Sequence, residues 1–93
     1  MEYTEANPLN RSKAISEAQA DSELNLYLTE VGVFTQEDTN TPVETHYVLI
    51  ASEDTSYVEH IAIDLCQNAI ELHERDFFDQ INDIEKSELS EWD

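Results

Sequence analysis

Between residues 54 and 89 the apolar positions recur at helical spacing, carboxylates fill the positions between them, and neither Gly nor Pro interrupts. At about 100° per residue, Val58, Ile61, Ala62, Leu65, Cys66, Ala69 and Leu72 share one face. His60, Asp64, Gln67, Glu71 and Glu74 stand in a row on the opposite face. Ser52, Asp54, Thr55 and Ser56 offer N-caps, and Ser56 with Glu59 has capping-box spacing. Near residues 73–76 the phase shifts. Phe77, Phe78, Ile81 and Ile84 then form a second stripe, with Asp76, Asp79 and Asp83 roughly opposite. This spacing predicts two C-terminal helices with a bend between them. One long helix is the rival, because Ile63, Ile70, Phe77 and Ile84 fall seven apart, as in a coiled-coil seam.

Upstream the period is different. Leu24, Leu26 and Leu28 alternate with Asn25, Tyr27 and Thr29, the two-residue repeat of a half-buried strand. After Glu30 the apolar set moves to Val31 and Val33, the opposite parity. A strand with one buried face needs an inserted residue to do this, so a bulge or break is expected near Gly32, the single glycine. Residues 36–42 read as a loop, and 45–51, β-branched and aromatic with apolar residues on both faces, as the second strand of an antiparallel hairpin. Asn7-Pro8 has the order of an N-cap before a first-turn proline, followed by a weak apolar stripe, which predicts a short helix between Pro8 and Asp21. Residues 1–6 suggest a short edge segment.

These elements assemble into a single small α+β domain spanning 1–93, with the order αββαα: a short N-terminal helix, an antiparallel hairpin and two C-terminal helices. Residues 1–6 and 90–93 are expected to fray. A lone two-stranded sheet is marginal in water, so either the N-terminal residues add a strand or a second copy shares the core as a homodimer.

Charge changes the picture most. Twenty-two Asp and Glu oppose four Lys and Arg, a net charge of −18, and residues 14–74 hold no Lys or Arg. Few of the acids therefore have a cationic partner within the chain. Solubility alone asks for a net charge of roughly 2–8 in a small domain, and the excess costs stability by self-repulsion. A use for the acids follows. Anionic membranes and nucleic acid should both repel the chain, and no apolar run approaches the roughly 20 residues that span a bilayer. The lone Cys66 allows no internal disulfide. A cytoplasmic, reducing setting is the expectation.

Candidate chemistry is sparse. No carboxylate pair is marked out for acid–base work, Cys66 falls on an apolar helix face as a small core residue would, and one glycine cannot build a phosphate-cradling loop. His60 and Asp64, four apart, make half a metal site at most, so neither metal nor cofactor is expected. The ordered acids remain. Duplex DNA carries one charge per roughly 1.7 Å of axis, so twenty-two carboxylates match about 37 Å of duplex.

In size, charge excess and the placing of acids on helix faces and in a hairpin loop, the chain resembles the acidic DNA-mimic inhibitors that phages and mobile elements direct against host nucleases, the anti-CRISPR and anti-restriction proteins. The resemblance lies in overall make-up and involves no shared motif. It implies a stoichiometric, non-enzymatic inhibitor of a basic nucleic-acid-binding protein, a nuclease or CRISPR effector. The expected partner-binding acids are Asp64, Glu71, Glu74, Asp76, Asp79 and Asp83, with Glu37 and Asp38 of the hairpin loop. An antitoxin or immunity protein capping one cognate toxin is the alternative, with anchors among Tyr27, Tyr47 and Trp92. Adaptation to high salt is a third reading.

Overall fold

The computed structural model describes residues 3–70 and 77–92. Its elements are α1 (Arg11–Ala20), β1 (Asn25–Thr35), β2 (Glu44–Ser52), α2 (Val58–Ile70), β3 (Phe77–Ser87) and a 3-10 turn at Leu89–Glu91. The three strands form one antiparallel sheet in the order β2-β1-β3. The β2 and β3 strands flank β1 and run parallel to each other, so the chain from β2 passes over β1 as α2 before entering β3. No helix among the described residues is long and apolar enough to cross a membrane.

The expected αββαα order is thus wrong at its end: residues 77–87 are a strand, not a second helix. The reason is a β-bulge. Glu30 faces Asp83, but Val31 faces Ile81, leaving Asn82 as the extra residue. A strand normally puts residues an even number apart on one face, and the bulge lets Ile81 and Ile84, three apart, reach the same buried face. Both pack against the core beneath α2. A bulged strand has imitated helical periodicity. The seven-residue seam dissolves with it, because Phe77 and Ile84 belong to β3.

The change of parity in β1 has another cause. Its pairing with β2 runs without a shift from Asn25↔Ser52 to Val33↔Glu44, so β1 itself is regular. Instead, both faces are covered, the α2 side along most of the strand and the α1 side at its start. Tyr27 and Val31, with Val48 and Ile50 of β2, pack under Val58, Ala62 and Cys66 of α2. On the other face, Leu26 and Leu49 pack against Ala14 and Ala18 of α1, with Leu28, Leu89 and Trp92 around them. Only the expected α2 face narrows, since Ile61 and Ala69 stay exposed.

Gly32 answers to the bulge across from it. A Cβ there would stand 2.6 Å from Asn82 Nδ2 and 2.8 Å from a ring carbon of Phe34, which stacks on Phe78 at 5.8 Å. Gly32→Ala should cost about 1–3 kcal/mol by overpacking, read as a lower urea midpoint at unchanged slope. Asn82→Ala in the same chain should restore part of the loss; no restoration would place the clash wholly on Phe34.

The hairpin is not left with two strands. Besides gaining β3, its other edge is closed by the N-terminal segment. Tyr47 N–H donates to Tyr3 O (3.0 Å), Leu9 N–H to Tyr47 O (2.8 Å) and Leu49 N–H to Leu9 O (3.0 Å), and Leu9 forms a parallel bridge to Val48. The α1 helix begins later than the Asn7-Pro8 signal implied. Asn10, left-handed at φ 68°, precedes it and donates from Nδ2 to Leu49 O at 3.0 Å.

Candidate partner-binding surface

Register assigns each side chain to a face. On the face that carries α1, successive rows across β2, β1 and β3 read Leu49–Leu28–Glu85, then Tyr47–Glu30–Asp83, then Thr45–Gly32–Gln80. The α1 helix packs on the Leu49 and Leu28 row and the one before it. Beyond α1 the Tyr47–Glu30–Asp83 row is acidic, and past it the face turns to Gly32 and the stacked Phe34 and Phe78.

Glu30 and Asp83 lie directly opposite each other across neighbouring strands. Like charges so placed, with Cβ atoms about 4.5–5.5 Å apart, oppose the fold. Tyr47 supplies partial relief: its hydroxyl donates to Glu30 Oε1 at 2.9 Å. The phenol feels the surroundings in turn. That hydrogen bond first, then burial and the charges of Glu30, Glu5 and Asp83, push its pKa up to about 12. Tyr47 therefore stays a neutral donor at every physiological pH.

Beside this row a cleft of about 420 Å³ opens between residues 5–6 and the C-terminal turn. Leu28 and Trp92 give it apolar walls, Glu5, Glu85 and Glu91 line it with carboxylates, and Lys86 is the cation among its lining residues. Trp92 is held in place from three sides. Its indole N–H donates to Ser87 Oγ at 2.9 Å, its carbonyl accepts from Arg11 Nη2 at 3.0 Å, and the Arg11 guanidinium sits 5.7 Å from the ring centroid. Glu91 is anchored too, its Oε2 accepting Glu88 N–H at 2.7 Å. Same-face neighbours stand about 7 Å apart along a strand and about 5 Å across it, so Glu30, Asp83 and Glu85 form a two-dimensional array on the sheet, with Glu5 and Glu91 beside it.

The expected acids are dispersed by this fold. Asp83 belongs to the array. Asp64 is exposed on α2, over the other face of the sheet, 4.0 Å from His60 Nε2. Glu37 and Asp38 sit in the β1–β2 loop, where Asp38 Oδ1 accepts N–H groups of Asn40 and Thr41 and so shapes the turn. Glu71, Glu74 and Asp76 lie outside the described residues. Glu5, Glu30, Glu85 and Glu91 were not singled out by sequence; the pairing that gathers them follows from where β3 docks. Among the described residues every carboxylate except Glu30 and Asp79 is exposed.

Asp79 departs most from its expected place. It faces the α2 side of β3, half-buried, with Oδ2 lacking any hydrogen-bond partner among the described residues, as does Thr29 Oγ1. Burial raises its pKa, while Gln67 and His46 pull the other way. The raised value means that the folded state holds this proton more tightly than the unfolded chain does. The resulting penalty is complete above the folded pKa and fades as pH falls through it towards the ordinary 3.8. Asp79→Asn should therefore raise the melting temperature at pH 7, by an increment that shrinks in acid; thermal melts across pH check this, and a pH-independent increment would point to packing instead.

Nearby, His46 is fully buried and satisfied on both ring nitrogens. Nδ1 accepts from Tyr3 N–H at 3.4 Å, which leaves Nε2 to donate to Glu44 Oε2 at 2.9 Å. Cys66 is equally buried, and desolvation first, then the Asp79 charge, push its thiol up to about 12. A thiol so placed is not a nucleophile at neutral pH. His46, Cys66 and Asp79 make a structural polar cluster, and among the described residues no group of side chains has the geometry to hold a metal ion.

No protein-family model, curated protein or solved structure matches the chain. The functional reading accordingly rests on the surface itself.

Proposed function

We propose that this chain is a stoichiometric inhibitor that presents nucleic-acid-like negative charge and occludes the basic channel of a host defence nuclease or CRISPR effector, acting in the cytoplasm of a bacterial host. The observation that carries the reading is the open sheet face. There Glu30 and Asp83 are held opposite one another at a cost to stability, with Glu5, Glu85 and Glu91 lining the cleft beside them. An acidic surface needed only for solubility has no reason to place like charges in register, whereas a partner rich in Lys and Arg turns that cost into binding free energy and speeds encounter by opposite potential. No turnover is involved, and the chain does not bind nucleic acid.

The test is retention of partners from host lysate on the immobilised protein, eluted by a salt gradient and, separately, by duplex DNA. A nuclease or CRISPR effector displaced by both supports mimicry. A partner indifferent to DNA overturns it and favours the antitoxin or immunity reading, for which the apolar walls Leu28 and Trp92 of the cleft offer an anchor.

A further inference from the structure

The two edges of the sheet are treated differently. The outer edge of β2 is closed by residues 3–9 through main-chain hydrogen bonds. Among the described residues, all backbone pairing of β3 is with β1. Its other side thus presents a row of outward N–H and C=O groups along eleven residues, about 35 Å of strand.

The flanks of this edge differ in character. Asp83 and Glu85, after the bulge, point to the open face, while Ile81 and Ile84, on either side of it, point to the apolar α2 face, where they remain partly exposed. A second copy of the chain is a poor occupant: pairing β3 with itself gathers Asp83 and Glu85 of both copies along one acidic face, between two bodies of charge −18. A strand that alternates basic and apolar residues and, like β1, skips Asn82 in its pairing meets both flanks with complementary chemistry.

We propose that the outer edge of β3 docks an extended basic segment of a partner protein as an added strand, its Lys or Arg beside Asp83 and Glu85 and its apolar residues beside Ile81 and Ile84. Main-chain hydrogen bonds hold the segment and the alternating side chains select it. This goes beyond charge mimicry, because it specifies a backbone contact and does not require the partner to bind nucleic acid.

Three dye-labelled heptapeptides test it on the full chain: one alternating valine and lysine, the same peptide N-methylated on its hydrogen-bonding side, and one with glutamate for lysine. Fluorescence anisotropy gives affinity, and amide hydrogen exchange locates the contact. The lysine peptide is expected to bind and to slow exchange within residues 77–87. N-methylation, which removes several main-chain bonds and leaves the charge intact, should weaken it about tenfold or more. The glutamate peptide should not bind. Equal binding of the N-methylated peptide, or protection located elsewhere, means simple charge attraction and overturns the proposal. A dimer of the free chain in sedimentation, with the amides of 77–87 already protected, would show the edge taken by a second copy and overturn it as well.

Discussion

Replacing Asp83 and Glu85 together by Lys is expected to weaken partner binding by about 100-fold or more while leaving the protein folded and slightly more stable. The two effects have opposite signs for one reason. In the free protein Asp83 faces Glu30, so Asp83→Lys converts a repulsive cross-strand pair into an attractive one, worth about 0.2–1 kcal/mol. In the complex the same change sets a cation against the partner's cations. Reversal of Glu59 and Asp64, both exposed on α2 over the opposite face of the sheet, serves as the comparison and should cost binding far less. Partner affinity measured against salt, with a thermal melt of each variant, reads both effects. Equal losses from the two faces would mean that total charge, and not the sheet surface, does the work.

The largest effect on folding is expected from Leu49→Ala. Leu49 is fully buried on the hairpin's outer strand, packed with Leu26 against Ala14 and Ala18 of α1. Its backbone also ties the N-terminal segment to the sheet, donating to Leu9 O and accepting from Asn10 Nδ2. Truncation leaves a cavity between two small helix residues that cannot move in to fill it, so the loss should be about 2–5 kcal/mol. For a domain of this size, with total stability on the order of 5–14 kcal/mol, that is a large fraction. Urea denaturation should show a lower midpoint at unchanged slope, and amide exchange should accelerate in α1 and residues 3–9 along with the sheet. A loss under about 1 kcal/mol would mean that the α1 face contributes little to the core.

What could be read from the pattern, and where it misled, follows from how each element buries its side chains. The hairpin of β1 and β2, the loop between them and the amphipathic α2 are local: their periods of two and 3.6 persist because each buries a continuous stripe. The α1 helix falls within the expected residues 8–21, but its cap signal did not: Asn10, not Asn7, precedes it, held by a hydrogen bond to a strand far along the chain. The change of parity in β1 was correctly seen as anomalous near Gly32. Its resolution, two helices on opposite faces and the extra residue in β3, depends on partners distant in sequence. In β3 itself, Ile81 and Ile84 at helical spacing carried a false signal, because a bulge changes a strand's period locally and no sequence window contains the strand it faces.

By itself, then, the sequence determined the charge, the absence of an internal disulfide, the hairpin and the α2 helix. Each is a property of composition or of a single run of residues. Only the tertiary structure decided that the last long element is a strand, that Asp79 lies half-buried beneath α2, and that Glu30, Asp83, Glu85, Glu5 and Glu91 gather on one open face. The physical reason is that a helical row of acids is set by neighbours three and four apart, whereas a row across a sheet is set by register between strands. Here the register follows from the docking of β3 on β1, across a bulge whose place opposite Glu30 and Val31 is fixed by burial of Ile81 and Ile84.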